Sequence, residues 1–369
     1  MPQGFRVALT SAAELDGVAR TVESQRPPRS PWLPALPKLI TTDELRARSD
    51  AEGAVVLALA DDPARQRQFP IGLDETGGLA VVGRVGSGKS SILASIAAQR
   101  PDAVRVSDDL EQAWDTLMGQ DPQAPEDARP LWLVDDADDL LARFPPDHSL
   151  AVGERFDRMA RTGTLVVTAR SLSGRLARVA DLLPQRAILS LTTRADHVAA
   201  GGEGSDFRAD LAPGRGRVGG WDAQFAYTEV RRESISDRRR AWNAGALAGV
   251  VTRQTDAIVS ALRGDAGASV HVRPLRDTPV NARLGDILAD SGSSLVLVGE
   301  GEEWLARWGL LQELRSRHPL VIDADCPTEL RTVAGERSLA PYTRPGAGRA
   351  WFCAQAARPV RVDLRAVTA

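Results

Sequence analysis

A glycine-rich octapeptide is the feature that most constrains what this chain can fold into. Residues 83–90, GRVGSGKS, match the pattern G-x-x-x-x-G-K-S and lie between the apolar run LAVV and the helix-like run SILASIAAQ. A strand followed by such a loop and a helix places backbone N–H groups and the positive end of the helix around a phosphate group. The sequence therefore predicts a loop that binds ATP together with Mg²⁺, held by an α/β fold.

The residues of this loop have separate predicted roles. Its glycines let the backbone curl tightly toward the phosphates. The lysine reaches the β- and γ-phosphates, and the hydroxyl of Ser90 is a Mg²⁺ ligand. Only two of the 46 basic residues are lysines, Lys38 and Lys89, and the others are arginines. A lysine at position 89 of so arginine-rich a chain indicates that a planar guanidinium would not serve there. The predicted nucleotide-binding residues are Gly83, Arg84, Val85, Gly86, Ser87, Gly88, Lys89, Ser90 and Ser91.

Two aspartates follow the apolar run LWLV, where a buried strand would end. Open α/β sheets bind ligands at the carboxyl ends of their strands. Asp135 is therefore predicted to hold Mg²⁺ through water, and Asp136 to polarise the water that attacks the γ-phosphate. The alternative is an acidic turn without a catalytic role, because Asp138 and Asp139 follow closely.

A threonine lies at the end of the next apolar run, TLVVTAR. A polar side chain at the tip of the strand beside the two aspartates can sense the γ-phosphate, so Thr168 is predicted to be a sensor residue. A threonine that merely ends a strand is the competing interpretation. Lys89, Asp136 and Thr168 are thus the catalytic side chains that the motifs themselves predict.

Apolar runs of strand length alternate with helical stretches over residues 46–230. Such alternation predicts an α/β domain with a mainly parallel sheet between helices. The preceding residues 1–45 contain the Pro-rich stretch RPPRSPWLPALPKL and are predicted to be a stiff linker from a preceding module. The Arg-rich residues 231–275 are predicted to be a helical linker, and residues 276–369 a smaller α/β module.

The last module looks like a degenerate copy of the first. The run GLAVVG ending at Gly83 corresponds to SLVLVG ending at Gly299, and PGRGR at 213–217 corresponds to PGAGR at 345–349. Repetition on this scale indicates tandem modules. Because GEGEEW stands where a phosphate loop would lie in the second copy, we expect that module to be non-catalytic.

Bulk composition argues against several other classes of protein. No apolar stretch approaches the roughly eighteen residues of a membrane span, and the N-terminus lacks the pattern of a signal peptide. The chain is therefore expected to lie in the cytosol, or to be the cytosolic part of a larger protein. Its net charge of -3 provides no overall attraction to DNA. The two cysteines and four histidines have no metal-ligand spacing, which argues against a zinc site.

The order of these segments resembles the FtsK/SpoIIIE family of P-loop ATPases, and more narrowly the repeated C-terminal ATPase modules of EccC-type proteins of type VII secretion. The likeness covers about residues 30–230 and lies in the segments WLPALPKLITTDEL, FPIGLDETGGLAVVGRVGSGKSS, RPLWLVDDADDL and LAPGRGRVGGWDAQFAY. The resemblance implies a RecA-like core that stacks into a hexameric ring or a tandem array and uses ATP to move a polymer. Ring motors also insert an arginine from a neighbouring subunit to stabilise transition-state charge. Arg186 is the first candidate for this residue and Arg170 the second.

Members of this family move either double-stranded DNA or exported protein. The chain departs from the DNA-pumping members because it has no C-terminal winged-helix-like domain and a short interval between Lys89 and Asp135. The favoured hypothesis is a motor or regulatory ATPase module whose partner is a secreted-protein peptide. It would act at the cytoplasmic face of the membrane, in an assembly that could include a membrane-anchored upstream portion. The alternatives are a double-stranded DNA translocase, and a switch that holds ATP with little turnover and controls a peptide-docking surface.

Overall fold

The protein consists of two α/β units, each built around one large sheet. The computed structural model describes residues 10–21, 33–49, 53–74, 78–119, 130–162, 165–229, 240–265, 270–289, 294–355 and 357–368. Among the helices that these residues form, none has both the length and the apolar character needed to cross a membrane.

The first unit is a sheet with helices packed on both faces. Its strands are β1 (Val56–Asp62), β2 (Arg67–Gly72), β3 (Leu79–Val82), β4 (Val104–Arg105), β5 (Trp132–Val134), β6 (Leu165–Ala169), β7 (Gln185–Leu189), β8 (Arg215–Val218) and β9 (Trp221–Phe225). Its helices are α2 (Thr42–Arg46), α3 (Lys89–Gln99), α4 (Leu110–Met118), α5 (Ala137–Arg143), α6 (Pro146–Arg161), α7 (Gly174–Leu182) and α8 (Arg194–Ala199), and a further helix, α1 (Ala12–Thr21), precedes them in the chain. The described strands form one sheet in the order β2-β1-β9-β8-β7-β3-β6-β5-β4.

The strands from β7 to β4 in this order run parallel, and the other four pair antiparallel on one side of them. Strands β3 and β6 are buried along their whole length, as expected for parallel strands covered on both faces. Neighbouring side chains such as Val166 and Val167 belong to different core clusters, one packed under α3 and the other under α4 to α7. The predicted α/β fold with a sheet between helices is confirmed. Its parallel strands bring the carboxyl ends of β3, β5 and β6 to one edge.

The residues immediately before the first strand pack against this unit. We call residues 33–46 the strap. Three of its side chains, Leu36, Ile40 and Leu45, are buried against residues of β1 and the residue that follows β9. The sequence predicted a stiff linker here, but burial of these apolar side chains makes the carboxyl end of that stretch part of the unit.

The second unit spans residues 242–368. Its strands are β10 (Trp242–Asn243), β11 (Leu247–Val251), β12 (Val270–Pro274), β13 (Ser294–Gly299), β14 (Leu320–Asp323), β15 (Arg349–Cys353), β16 (Val360–Asp363) and β17 (Val367–Thr368). The helices are α9 (Thr255–Asp265), α10 (Leu284–Ala289), α11 (Gly301–Ala306), α12 (Trp308–Arg317) and α13 (Glu329–Thr332). The larger of its sheets has the order β12-β13-β11-β14-β15-β16, and β10 pairs with β17.

The prediction of a helical linker over residues 231–275 is wrong for the part that the structure describes. Residues 231–239 lie outside the described residues. Beyond them only α9 is an α-helix, whereas β11 lies in the middle of the second sheet and β12 at its edge. The short apolar run LAGVV caused the error, because periodicity alone does not distinguish a buried strand from a buried helix segment. The second unit therefore begins before residue 276.

The proposed correspondence between the two phosphate-loop positions also differs in the structure. In the first sheet the loop follows β3, the first of the parallel strands along the chain, which lies between the last two, β6 and β7; in the second sheet β11 has that place, between β13 and β14. Thr252, Arg253 and Gln254 follow β11 and lead into α9, whereas GEGEEW follows β13. The mismatch arises because GLAVVG and SLVLVG share only the apolar character of any buried parallel strand. The glycine-rich loop of the first unit has no counterpart after β11.

An aromatic side chain of the second unit is inserted into the core of the first. Tyr342 lies between α13 and β15 and belongs to the buried cluster beneath α4 to α7. Its ring meets Phe144 edge to face at a centroid distance of 5.2 Å and His148 at 5.6 Å. Nearby, the Arg361 guanidinium donates to Asp115 of α4 at 2.7 Å. The two units thus share part of one core.

Replacing Tyr342 by alanine should destabilise the protein by about 3 kcal/mol, because it removes a buried aromatic ring and leaves a cavity between the units. Urea unfolding followed by tryptophan fluorescence measures this change. Leu339→Ala is the matched control, since Leu339 is in the same loop and 44% exposed. Equal stability of the two variants would show that the ring does not join the units.

Candidate nucleotide-binding site

The glycines of the predicted phosphate loop occupy conformations and spaces that a side chain would disturb. Gly86 and Gly88 have φ angles of +77° and +105°, in the region that favours glycine. A Cβ atom on Gly83 would lie 2.4 Å from Ser87 Oγ, and one on Gly88 would lie 2.8 Å from the backbone nitrogen of Gly214. Gly88 directly precedes α3, so the loop leads into the amino end of a helix.

Lys89 is folded back into the loop. The residue is only 5% exposed. Its Nζ donates to the carbonyl oxygens of Gly83 at 2.9 Å and Arg84 at 3.2 Å, and it lies 3.4 Å from Asp136 Oδ1. A phosphate oxygen that approaches this ammonium group would replace the carbonyl oxygens of the loop as its hydrogen-bond acceptor. These contacts hold the lysine at the centre of the site.

Asp135 and Asp136 follow β5 and are linked to each other through Thr168. The Thr168 hydroxyl donates to Asp135 Oδ1 at 2.5 Å and accepts a hydrogen bond from the Asp136 N–H at 2.8 Å. Thr168 is fully buried in β6, which lies between β3 and β5. Asp136 has a φ of +42°, a region that aspartate tolerates better than most residues. The geometry makes Thr168 a positioning residue for the acidic pair, and its sensor role stays a prediction.

Two polar atoms that face this site are buried without a hydrogen-bond partner in the described part of the chain. They are Ser87 Oγ and Asp136 Oδ1, the latter 3.4 Å from the Lys89 ammonium nitrogen. Buried polar atoms are normally satisfied, so unsatisfied ones at a loop of this kind fit a site built for a polar ligand. A Cβ on Gly86 would meet nothing within 4 Å, which leaves the loop accessible. The residues present therefore fit a phosphate chain and its Mg²⁺ ion.

The remaining predicted binding residues lie around the rim of the loop. Ser90 is exposed in the first turn of α3, as its predicted role as a Mg²⁺ ligand requires. Ser91 instead donates to the carbonyl oxygen of Thr228 at 3.3 Å, away from the loop. Val85 is 76% exposed, and the Arg84 Nε donates to Ser190 Oγ at 3.1 Å.

The structure pairs Arg170 with the two aspartates of α5 that follow the acidic pair, and pairs Arg186 with an aspartate of α7. Arg170 follows β6, and its guanidinium donates to Asp139 at 3.0 Å, while its backbone N–H donates to Asp138. Asp138 and Asp139 are thus engaged in structural contacts. Arg186 lies near the amino end of β7 and donates to Asp181 at 2.9 Å. That either arginine stabilises transition-state charge in the site of a neighbouring subunit stays a prediction.

Sequence reasoning missed the residues that support the back of the loop. The Gly214 N–H donates to the carbonyl oxygen of Ser87 at 2.8 Å. Gln224, which is 1% exposed, donates from Nε2 to the carbonyl oxygen of Pro213 at 3.2 Å. The PGRGR motif was recognised only as part of a repeat and of a family resemblance, and the contact with a loop far away in sequence could have been suspected only from that motif.

The cysteines do not contribute nucleophilic chemistry. Burial raises the pKa of the Cys326 thiol to about 11 and that of Cys353 to about 12, so both are protonated near neutral pH. Within the residues that the structure describes, no three histidine, cysteine or carboxylate side chains are grouped as metal ligands.

Comparison with known proteins identifies the fold. No protein-family model matches the chain, and no curated protein is detectably similar to it in sequence. Among solved structures, the cytoplasmic domain of the Thermomonospora curvata type VII secretion ATPase EccC is similar with a TM-score of 0.53 and 12% identity, over 94% of this chain and 65% of that one.

Two further structures are similar at 12% identity. ATPases 2 and 3 of EssC from Geobacillus thermodenitrificans have a TM-score of 0.44, over 91% of this chain and 100% of that one. ATPases 2 and 3 of Thermomonospora curvata EccC in complex with a signal sequence peptide have a TM-score of 0.48, over 85% and 93%. At this identity the likeness to the EccC cytoplasmic domain shows the fold alone, an α/β fold with a large sheet flanked by helices.

Proposed function

We propose that this chain is an ATP-binding and ATP-hydrolysing motor module of the FtsK/SpoIIIE family that drives or regulates protein export. One observation carries the proposal: the buried Lys89 ammonium, the Asp136 carboxylate and the Thr168–Asp135 hydrogen bond meet beside the glycine loop. This combination of a phosphate-binding cation with two carboxylates at the carboxyl edge of a parallel sheet is what metal-assisted phosphoryl transfer needs.

The side chains divide the work of hydrolysis in the following way. The loop N–H groups and the Lys89 ammonium bind the phosphates, and Ser90 and Asp135 would hold Mg²⁺, which would neutralise developing negative charge. The Asp136 carboxylate orients the attacking water and accepts its proton. Thr168 holds the Asp135 carboxylate and the backbone of Asp136 at fixed positions, because its hydroxyl donates to the first and accepts from the second.

Export of protein is favoured over transport of DNA on charge and fold. The net charge of -3 provides no general attraction to a phosphate backbone. The structure that is similar with a TM-score of 0.53 is described as a type VII secretion ATPase. The proposal therefore assigns a secreted-protein peptide as the partner, and other ATPase modules of a ring or tandem array as neighbours. It places the chain at the cytoplasmic face of the membrane.

Fluorescence anisotropy of a labelled DNA duplex tests the choice of polymer. The labelled DNA is titrated with the protein in the presence of a non-hydrolysable ATP analogue, at low and at moderate salt. The protein is taken from fractions that size-exclusion chromatography shows to be assembled. We expect no salt-sensitive binding of the DNA duplex, because the protein would neutralise few of its phosphates. Tight, steeply salt-dependent binding would identify a DNA motor and contradict the export proposal.

A further inference from the structure

One arginine connects the strap to the turn that supports the phosphate loop. The Arg215 guanidinium donates through one terminal nitrogen to the carbonyl oxygens of Leu36 at 3.0 Å and Pro37 at 2.8 Å. Its Nε donates to Gln224 Oε1 at 3.0 Å. A single side chain thus bonds both to the strap and to the buried glutamine behind the phosphate loop.

The turn that carries Arg215 presses against the loop without spare room. Gly214, the preceding residue, donates its N–H to the Ser87 carbonyl oxygen at 2.8 Å. A Cβ on Gly88 would come within 2.8 Å of the Gly214 nitrogen, and a Cβ on Gly214 within 2.7 Å of Gln224 Nε2. A displacement of the turn would therefore shift the backbone of the loop, because no gap separates them.

Arg215 depends on the strap for part of its hydrogen bonding. Burial lowers the pKa of its guanidinium, which reports the cost of removing a charge from water. That cost is offset by charge-assisted hydrogen bonds, and two of the acceptors are strap carbonyls. Undocking of the strap would leave the guanidinium without these acceptors. The position of the turn and the docking of the strap therefore favour each other.

The strap has a second contact with the same nucleotide-binding segment. The Thr42 hydroxyl is hydrogen-bonded at 2.9 Å both to Ser95 Oγ of α3 and to Thr228 Oγ1. The Ile40 carbonyl oxygen accepts from the Tyr227 N–H at 2.8 Å. The strap thus reaches the helix that begins at Lys89 as well as the turn behind the loop.

Resting on the proposed nucleotide site, we propose that Arg215 is a positioning residue through which docking of the strap shapes the phosphate loop and raises its affinity for ATP. The effect is reciprocal, because two events that favour each other do so by the same free energy. Bound nucleotide therefore strengthens the docking of the strap.

Nucleotide affinity and strap protection are measured on the full chain in four proteins: the parent, Arg215→Ala, Arg215→Lys and the control Arg217→Ala. Arg217 lies on the same strand but donates to the Gly220 carbonyl oxygen and not to the strap. Titration of a fluorescent non-hydrolysable ATP analogue gives Kd. We expect Kd to rise about tenfold in Arg215→Ala, less in Arg215→Lys, and not in Arg217→Ala. Thermal melts establish that each variant is folded.

Hydrogen exchange of residues 33–46 gives the readout that a merely structural role would not affect. In the parent and in Arg217→Ala, the analogue should slow exchange of the strap, and in Arg215→Ala this dependence on nucleotide should be lost. An unchanged Kd in folded Arg215→Ala, or strap exchange that does not respond to nucleotide in the parent, would overturn the proposal. Absence of nucleotide binding in the parent would instead refute the proposed function itself.

Discussion

Replacement of Lys89 by alanine is expected to weaken ATP binding on the order of 100-fold and to abolish hydrolysis. The ammonium group is almost completely buried and lies at the centre of the loop, where few water molecules screen its attraction to phosphate. No other lysine of the chain can substitute for it, since Lys38 lies on the strap. Calorimetric titration with a non-hydrolysable ATP analogue measures the binding, and release of inorganic phosphate measures the turnover.

The chain offers a matched control in its second lysine. Lys38 is exposed, so Lys38→Ala removes the same side chain without changing the loop, and its affinity should equal that of the parent. Lys89→Arg keeps the positive charge but should also bind poorly, because a planar guanidinium does not fit where Nζ lies 2.9 Å from the Gly83 carbonyl oxygen. Parental affinity in Lys89→Ala would remove the premise that residues 83–91 bind nucleotide.

Asp136→Asn is expected to reduce hydrolysis on the order of 100-fold or more while ATP binding persists. The substitution keeps the shape of the side chain but removes the carboxylate that orients water and accepts its proton. ATP binding should not weaken, because the substitution removes a negative charge that attracts the Lys89 ammonium group away from phosphate. Steady-state phosphate release and the affinity for an ATP analogue, measured on the same preparation, separate the two effects.

Asp139→Asn is the control for this variant. Asp139 lies in the same acidic stretch but pairs with Arg170, so its loss should leave turnover near that of the parent. Turnover in the parent that disappears in Asp136→Asn would refute the alternative of an ATP-dependent switch with little hydrolysis. A parent that binds ATP tightly without turnover would favour that switch, and parental turnover in Asp136→Asn would show that the acidic pair only ends a strand.

Sequence patterns predicted those parts of the site in which the decisive residues are consecutive. The octapeptide around Gly86 and Gly88 requires backbone conformations that glycine adopts readily, and such conformations are a local property of the chain. The acidic pair and Thr168 were predicted because the tip of a buried strand is visible as an apolar run followed by polar residues. The hydrogen bonds between Thr168 and the aspartates could not be predicted, since they depend on the order of β3, β6 and β5 in the sheet.

Errors arose where a short apolar run was ambiguous. LAGVV was assigned to a helical linker, although β11 is buried between two parallel strands. The same ambiguity placed the phosphate-loop equivalent after β13, because apolar composition marks a strand as buried without giving its place in a sheet. Sheet order is decided by which strands pair, and pairing joins residues far apart in the chain.

By itself the sequence determined an α/β fold, a glycine-rich loop between a strand and a helix, and a pair of aspartates and a threonine at the ends of two apolar runs, because each follows from local geometry or from the period of apolar residues. Only the tertiary structure decided that the strap is docked, that Arg215 joins it to the turn behind the loop, and that Tyr342 enters the core of the first unit. These contacts depend on complementary packing and hydrogen bonding between distant segments, and no pattern within a single segment encodes its partner.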